Sequence, residues 1–402
     1  MSSSPIIAPD NLSPPSENRL YSELFALHRE IHDFSKDLEN FSRLLKIQKR
    51  IIFSIEEAEK EIRKAKIHKK SPKDWQYMRY NFLCLGDCLA FLYADRFSLK
   101  HYYFDTNTYN IKQSGGFILG KDGHRNEIKV LEEAISHNIP AVLCDITNVL
   151  CYGDICLLVD SDPVPIEVKS SNTKDRRGKR QKRKLQTLSD FLKSDYAENF
   201  RGFSGSTLRV ECSTPPKLYN KELQYYVKEA IKRGSTFFEV DDCLRVIIIQ
   251  GDNFDCKHLF GEKNLSSKSI ITFINEIKTS MSWGCYYPYP LTFSDPASFK
   301  AFVRGDIYIL TVLYVDKFEE KLSSNYVKLN IESTENQIEC NMYFKDLITE
   351  DQNAKFTIGD HMMCRIWTDF IKPRWIVDNS ILLVRSTISK MQIRSADANM
   401  PQ

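Results

Sequence analysis

Residues 153–170, GDICLLVDSDPVPIEVKS, combine the pattern of a β-hairpin with charged side chains that could do chemistry. Asp154 opens the first apolar run, whereas Glu167 and Lys169 close the second. A two-residue turn at Ser161–Asp162 would place Asp154 opposite Lys169. Opposed residues of an antiparallel pair share a face, and so do residues two apart on one strand. The pattern therefore predicts Asp154, Glu167 and Lys169 on one face, near one end of the hairpin.

Two carboxylates on one face repel each other by about 4 kcal/mol at about 4 Å and an effective dielectric constant near 20. Protonation or a salt bridge to Lys169 would relieve the repulsion. A divalent cation would relieve it better, because carboxylate oxygens are the ligands that Mg²⁺ prefers. A lysine beside such a metal can orient a water or help to deprotonate it, which suits metal-assisted hydrolysis of a phosphodiester. A buried ion-pair network without catalysis is the alternative that the pattern leaves open.

The helices on either side of the hairpin direct further polar side chains toward it. Residues 124–138 have the pattern of a helix on which Glu127 shares the face of Leu131, and this face should meet the sheet. On the following helix, Gln181 is in register with Leu185 and should also point toward the sheet. The sequence thus predicts a third acid and an amide near the hairpin charges.

Residues 120–216 follow the order helix, three strands, helix, strand. This order, the 13-residue separation of Asp154 from Glu167 and the basic helix after Lys169 resemble the PD-(D/E)xK nucleases of the restriction-endonuclease-like superfamily. Gly153 stands where the motif name has proline. The pattern Gln-x-x-x-Tyr does not follow the lysine, which argues against the exonuclease branch that uses it.

The resemblance implies a role for each residue that matches the motif. Asp154 and Glu167, with the carbonyl of Val168, would bind Mg²⁺ or Mn²⁺. Lys169 would position the attacking water and stabilise the charge that develops on the phosphorane. Glu127 would support a second metal or its water shell.

Two further residues near the motif have less defined roles. The resemblance implies that Gln181 lies near the phosphate or orders the site. Asp145, in CDITN, is either an additional acid of the site or a turn former at the end of a strand.

A cluster of basic residues lies between 174 and 184, interrupted by the single acid Asp175. Because it begins five residues after Lys169, we expect it to contact the phosphate backbone of a nucleic acid. A solvated helix start is the alternative. The basic residues are Lys174, Arg176, Arg177, Lys179, Arg180, Lys182, Arg183 and Lys184.

The composition is that of a globular protein with two or three domains, since 42% of its 402 residues are hydrophobic and 27% are charged. The net charge of +3 is weakly basic, so a nucleic-acid surface must come from local clustering. No window of 18 consecutive apolar residues occurs, so no membrane span is expected. The eleven cysteines lack metal-binding spacing, which favours buried thiols in a reducing, cytoplasmic compartment.

The predicted fold class is a multidomain α+β protein with four regions. These are a disordered lead-in at 1–19, a helical region at 20–119, the nuclease-like αβββαβ core at 120–216 and a β-rich domain at 217–402. The last region should begin with a helix and continue with the strands FFEV, LRVIIIQG, DIYILTVLYV, VKLNIES, CRIWTDF and ILLVRS.

The helical region shows apolar residues at three- and four-residue spacing from Leu24 to Leu45, with an interruption at Gln48. This spacing predicts a long helix or a helical hairpin that packs on the rest of the chain or pairs with a second copy or a partner protein. A buried helix should follow from Pro72 to Tyr93, with Gly86 and Asp87 as a structural pair inside it.

Three functions are consistent with these patterns. The first is a metal-dependent nuclease that cleaves DNA in preference to RNA, which the resemblance associates with bacterial defence or mobile-element systems. The second is a catalytically inactive nuclease fold that binds nucleic acid. The third is an interaction protein that acts through its N-terminal helix.

Overall fold

The computed structural model describes residues 13–112, 116–121, 123–159, 162–168, 176–212, 214–251, 268–279, 281–334, 337–349 and 352–398.

Helices occur along the whole described chain, from residue 21 to residue 398. They are α1 (Tyr21–Phe34), α2 (Phe41–Ile67), α3 (Lys73–Tyr93), α4 (Arg96–Leu99), α5 (His124–Ser136), α6 (Arg176–Ser194), α7 (Asn220–Arg233), α8 (Ile274–Ile277), α9 (Tyr289–Thr292), α10 (Pro296–Arg304), α11 (Val315–Leu322), α12 (Asp360–Met363), α13 (Arg365–Thr368) and α14 (Pro373–Ala398).

The described strands pair antiparallel and form small sheets of two to four strands. The strands, grouped by sheet, are β1 (Ala141–Leu143), β2 (Ile155–Leu157) and β3 (Val164–Ile166); β4 (Tyr196–Glu198) and β5 (Ser206–Leu208); β6 (Ser235–Val240), β7 (Leu244–Gln250), β8 (Ser269–Phe273) and β9 (Ile307–Tyr314); and β10 (Val327–Ser333), β11 (Ile338–Thr349) and β12 (Gln352–Ile358). The protein is therefore a mixed helix–sheet protein with an N-terminal helical region and several small antiparallel sheets, as predicted at that level.

The chain folds into two compact units, made of Met1–Arg209 with Asn275–Gly305, and of Val210–Ile274 with Asp306–Gln402. The predicted helical region thus belongs to the same unit as the predicted nuclease-like core up to Arg209, whereas the end of that core, 210–216, belongs to the second unit. Residues 275–305, which we had placed in the β-rich domain, belong to it as well. Within this unit, the Lys278 carbonyl accepts a hydrogen bond from the Tyr80 hydroxyl of α3.

Part of the predicted lead-in is ordered against the helical region. Pro15 is buried, and its carbonyl accepts a hydrogen bond from the Tyr21 hydroxyl at 2.9 Å. The prediction of disorder is therefore wrong for the described residues 13–19, whereas 1–12 lie outside the description.

The N-terminal apolar stripe forms a helical hairpin rather than one long helix. The first helix ends at Phe34, and Asn40 caps α2 by accepting the Arg43 N–H at 3.1 Å. Leu24, Leu27 and Phe34 are fully buried within the protein. The part of the stripe on α1 is thus covered by the chain itself, whereas Leu38, Phe41 and Leu45 are only partly buried. The homodimer or partner interaction through this stripe stays a prediction.

Gln48, which interrupts the stripe, pairs with the edge of a strand. Its Nε2 donates to the Ala141 carbonyl at 2.9 Å, and its Oε1 accepts the Leu143 N–H at 3.0 Å. Both are backbone groups of β1, so a helix side chain takes the hydrogen bonds that a neighbouring strand would make.

Gly86 and Asp87 of α3 form the predicted structural pair and fix the segment between β1 and β2. A Cβ atom at Gly86 would lie 1.8 Å from the Ile146 carbonyl oxygen, so only glycine fits. The Asp87 carboxylate accepts the backbone N–H groups of Asn148 and Val149 at 2.7 and 2.9 Å. The Asn148 side-chain amide donates to it as well, at 2.7 Å.

The β2–β3 hairpin has a longer turn than predicted. Ile155 lies opposite Ile166, and Leu157 lies opposite Val164, a shift of two residues from the register of a two-residue turn. The prediction that Asp154 faces Lys169 is therefore wrong. Because side chains alternate with a period of two, an even shift leaves every residue on its predicted face.

The last predicted strand of the core does not join the β1–β2–β3 sheet in the described chain. It corresponds to β5, which pairs with β4, a strand that we did not predict. The two strands are separated by only seven residues, and local pairing across so short a loop is favoured over a distant partner.

Two predicted strands of the second unit are helical. Four of the seven residues of CRIWTDF lie in α13, and Arg365 at its start forms a buried ion pair with Asp369, the residue that follows the helix. ILLVRS lies within α14, which begins at Pro373, a favoured first helical residue. The hairpin of β11 and β12 was missed, although Ile338, Cys340 and other alternate residues of β11 are buried.

Among the described residues, no helix combines the length and the apolar character that crossing a membrane requires.

The buried carboxyl of Asp87 should make stability depend on pH. Burial raises its pKa to about 7. Between about pH 4 and pH 7 the folded protein therefore holds a proton that the unfolded chain has lost, so stability falls as the pH rises. We expect this decrease to be absent from Asp87→Asn, as measured by urea unfolding across that range. An identical pH slope in both proteins would contradict the raised pKa.

Asp87→Ala should be less stable than the wild type at every pH, because it leaves the N–H groups of Asn148 and Val149 without their acceptor. The expected loss is about 1–3 kcal/mol in the free energy of unfolding. Unchanged stability in this variant would show that the segment holds its shape without Asp87.

Candidate metal-binding active site

A cavity of about 250 Å³ lies in the first unit, at the end of the β2–β3 hairpin. Elements that are distant in sequence supply its walls: α3, the segment before α5, the turn after β1, the hairpin and α6. It contains three of the predicted site residues, Asp154, Glu167 and Gln181, and the less certain candidate Asp145. Its charged and amide side chains are Arg79, Lys112, Lys121, Asp145, Asp154, Glu167 and Gln181.

Gly153 allows the hairpin to place its first acid. Its φ of +76° is one that other residues rarely adopt, and a Cβ there would lie 2.9 Å from the Ile166 carbonyl oxygen. Glycine therefore fits where proline, with φ fixed near −65°, would not. The next residue, Asp154, donates its backbone N–H to the Ile166 carbonyl at 2.8 Å.

The Asp154 carboxylate is oriented by the end of β3. Its Oδ2 accepts the backbone N–H of Val168 at 2.8 Å. Its Oδ1 lies 3.6 Å from the ammonium nitrogen of Lys121. One oxygen is thus fixed by the backbone, and the other faces a positive charge.

Glu127 points inward from the first turn of α5, as predicted, and is only 3% exposed. Its Oε1 lies 2.9 Å from the Lys121 ammonium, and Asp145 Oδ2 lies 2.6 Å from the same nitrogen. Asp145 is in the 3₁₀ turn Cys144–Ile146, directly after β1. Asp145 therefore lines the cavity and is positioned there by this turn, and its role as an acid of the site stays a prediction.

Lys121 contacts three of the acids, yet we did not identify it from the sequence. It stands in the segment before α5, where no helical or strand periodicity predicts the direction of a side chain. The only signal was the polar run KDGHRNE, which places a lysine and a histidine just ahead of Glu127.

The pKa values of Asp154 and Glu167 are both raised, and burial is the main cause. Burial raises the pKa of Asp154, and the charges of Glu127 and Asp145 add to this, although the Val168 N–H opposes it. Burial and the charge of Asp154 likewise raise the pKa of Glu167. Burial thus disfavours the charged forms of both carboxylates, and the charges of neighbouring acids add to this effect.

Glu127 differs from the other acids because it has direct partners. Burial raises its pKa, but hydrogen bonds from His124 and Lys121 outweigh this effect, so the pKa lies below its usual value. We expect Glu127 to remain ionised throughout the neutral range.

His124 supplies a possible nitrogen ligand. One of its ring nitrogens lies within 4.8 Å of carboxylate oxygens of Glu127 and Asp145. The residue is 8% exposed, and its buried Nε2 has no hydrogen-bond partner among the described residues. Carboxylate oxygens suit Mg²⁺ and Mn²⁺, whereas an added imidazole suits transition metals better than Mg²⁺. The donor set therefore fits a divalent cation.

Other predicted residues differ in how far the structure places them. Val168 contributes its N–H to Asp154, as described above. Lys169 lies outside the described residues, and its role stays a prediction. A second cation, Lys112, contacts the Cys151 carbonyl and lines the cavity, where its charge lowers the pKa of Glu167 against the larger opposing effect of burial.

The basic cluster is largely on α6. Lys179, Arg180, Lys182 and Arg183 are exposed, as expected for a phosphate-binding surface. Lys184 differs, because it forms an ion pair with Asp105 and its side chain is only 22% exposed. Lys174 and the side chains of Arg176 and Arg177 lie outside the described part of the chain, so their part in such a surface stays a prediction.

Glu167→Gln should stabilise the metal-free protein, because it removes a charge that the folded state disfavours. The gain at about pH 8 should be about 1 kcal/mol or less, since solvent screens a partly exposed group. It should disappear below about pH 4.3, where Glu167 is protonated in both states. Urea unfolding in EDTA measures the effect.

Glu132→Gln on α5 is the matched control, since its side chain is 42% exposed and paired with Lys49. We expect a change within about 0.5 kcal/mol. A Glu167→Gln protein that is less stable than both the wild type and this control would mean that Glu167 is a stabilising partner in the fold.

Comparison with known proteins adds no assignment to this geometry. Neither a family model, nor a curated protein, nor a solved structure matches the chain significantly. The residues of the cavity are therefore the basis on which a function is inferred.

Proposed function

We propose that this protein is a metal-dependent nuclease, with Mg²⁺ or Mn²⁺ as its cofactor and DNA preferred to RNA as its substrate. One observation carries the proposal: Asp145, Asp154 and Glu167 line a single cavity beside an exposed basic helix. A fourth carboxylate, Glu127, joins them through the ammonium of Lys121, which also lies close to Asp145 and Asp154.

Asp154 and Glu167, with the carbonyl of Val168, would hold the cation. The bound metal would lower the pKa of a water and neutralise charge on the phosphate, which is the chemistry that phosphodiester hydrolysis needs. Asp154 is prepared for this role, because the Val168 N–H fixes Oδ2 while Oδ1 faces the cationic side of the cavity. Such preorganisation reduces the rearrangement needed on binding.

The basic side chains of α6 would bind the nucleic-acid backbone and bring it to these carboxylates. Gln181 lines the cavity, while Lys179, Arg180, Lys182 and Arg183 on the same helix are exposed. Basic side chains in this position would hold phosphates over the site. Contacts with phosphates carry no information on base sequence, so the α6 side chains should not make cleavage sequence-specific.

Asp154→Asn and Glu167→Gln should each lower metal-dependent cleavage at least about a hundredfold, with nucleic-acid binding changed less than about threefold. Loss of a metal ligand removes the chemistry, whereas the phosphate contacts remain. Nicking of plasmid and cleavage of single-stranded DNA with MnCl₂ or MgCl₂ measure the rate. Lys169→Ala should lose cleavage to the same extent.

Glu132→Gln serves again as the control and should cleave at the wild-type rate. Wild-type cleavage in Asp154→Asn and Glu167→Gln would refute the proposed site. A wild-type protein that binds DNA but does not cleave it with either metal would instead favour the catalytically inactive nucleic-acid-binding module.

The exposed charges of α6 should govern how binding depends on salt. Each phosphate contact contributes about 0.9 to the slope of log affinity against log salt on duplex DNA. Changing Lys179, Arg180, Lys182 and Arg183 together to alanine should therefore reduce that slope by up to about 3.6 and weaken binding to all sequences alike. Fluorescence anisotropy over a range of salt concentrations measures this.

A control variant with the same change of charge is available on the N-terminal hairpin. There Lys36, Lys46, Lys49 and Lys60 are exposed and lie on or between α1 and α2. Their replacement by alanine should leave the slope nearly unchanged. Equal reductions in the two variants would mean that only net charge matters and that α6 is not the contact surface.

A further inference from the structure

Lys121 lies where a cation shared by the acids of the cavity would lie. Its ammonium nitrogen is 2.6 Å from Asp145, 2.9 Å from Glu127 and 3.6 Å from Asp154. These acids come from the turn after β1, from α5 and from the start of the hairpin. Lys121 is thus the ion that joins three separate elements.

A second observation points to a ligand at the same place. His124, more than nine-tenths buried, has a ring nitrogen within 4.8 Å of oxygens of Glu127 and Asp145. Its Nε2 makes no hydrogen bond to any described residue. Its Nδ1 lies 3.4 Å from Glu127 Oε2, so the imidazole offers a nitrogen ligand directly beside the acids.

The oxygens that face Lys121 are also those that a divalent cation would use. Asp154 Oδ1 is the oxygen that the Val168 N–H leaves available, and it faces the ammonium. A doubly charged ion bound to these oxygens would lie within a few ångströms of the ammonium and repel it strongly in a partly buried cavity. The two cations therefore compete.

We propose that Lys121 is the internal counter-cation of the metal-free site, and that a divalent cation enters by exchange with its ammonium. The inference rests on the proposed metal-dependent function and adds a role for a residue outside the motif. The Lys121 side chain is 33% exposed, so its ammonium can return to solvent when it is displaced. Lys121 is in this sense a positioning residue, because it holds the acids together before the metal binds.

In the wild type, the metal must displace the Lys121 ammonium, and this should lower the affinity of the site for the metal. Removing the ammonium should leave the acids uncompensated in the metal-free protein, and a metal that binds them then displaces nothing. Lys121→Met should therefore bind Mn²⁺ at least about tenfold more tightly than the wild type. Its metal-free form should unfold at a lower temperature, and saturating Mn²⁺ should raise that temperature more than in the wild type.

The experiment is isothermal titration of the full chain with MnCl₂, together with thermal unfolding in EDTA and in MnCl₂. Lys112→Met is the matched control, because Lys112 lines the same cavity and acts on Glu167 without an ion pair to the acids of the cluster in the described chain. Its loss removes an equal charge, and the gain in affinity should be less than about threefold.

Lys121→Arg keeps the charge and tests the exchange even if Lys121→Met does not fold. A guanidinium holds carboxylates through several hydrogen bonds at once and is harder to displace. This variant should bind Mn²⁺ at least about threefold more weakly than the wild type.

Tighter binding in Lys121→Met and weaker binding in Lys121→Arg support the exchange. Wild-type affinity in both variants, or weaker binding in Lys121→Met, would overturn it while leaving metal-dependent cleavage intact. Absence of Mn²⁺ binding in the wild type and in every variant would overturn both this inference and the proposed function.

Discussion

The repulsion among four carboxylates is the constraint around which the first unit is organised. Glu127, Asp145 and the hairpin acids Asp154 and Glu167 are distant in sequence, and a flexible chain would let them move apart. Lys121 bridges the first three, a backbone hydrogen bond fixes Asp154, and Glu167 lines the same cavity as Asp145 and Asp154. The raised pKa values of Asp154 and Glu167 show that this arrangement disfavours their charged forms. Such costly charges are characteristic of functional sites, although structural ion-pair networks also perturb pKa values.

Residues other than the four acids also restrain the segments that carry them. Asp87 fixes the backbone at Asn148 and Val149, between the two segments that bear Asp145 and Asp154. Gly86 lets α3 approach the turn that carries Asp145. Gly153 lets the hairpin bring its first strand against Ile166. The buried helix and the glycines thus define the site as much as the acids do, because they remove the freedom by which repulsion would otherwise be relieved.

Periodicity predicted the parts of the site that lie on regular elements. Alternation along the hairpin gave the common face of Asp154 and Glu167, and helical spacing gave the inward directions of Glu127 and Gln181. The register was wrong because turn length is not encoded in that alternation. Lys121 was missed because it precedes its helix, and the position of a long side chain in an irregular segment depends on tertiary contacts.

The second unit illustrates the same limit. The strands with continuous apolar runs, such as β7 and β9, were identified, whereas ILLVRS proved to be helical. Its apolar run of four residues, 381–384, fits either a strand or a helix, and only its surroundings decide. The alternation of β11, in which Ile338, Cys340, Met342 and Phe344 are separated by more polar residues, was present in the sequence, but we did not recognise it.

The contact between Gln48 and β1 has a consequence for how the sheet can grow. β1 is an outer strand of the β1–β2–β3 sheet, and an open outer strand offers its backbone to any passing extended chain. Gln48 occupies the carbonyl of Ala141 and the N–H of Leu143. A polar residue that looks like a defect in a helical stripe therefore protects this edge against edge-to-edge aggregation and strand exchange between molecules.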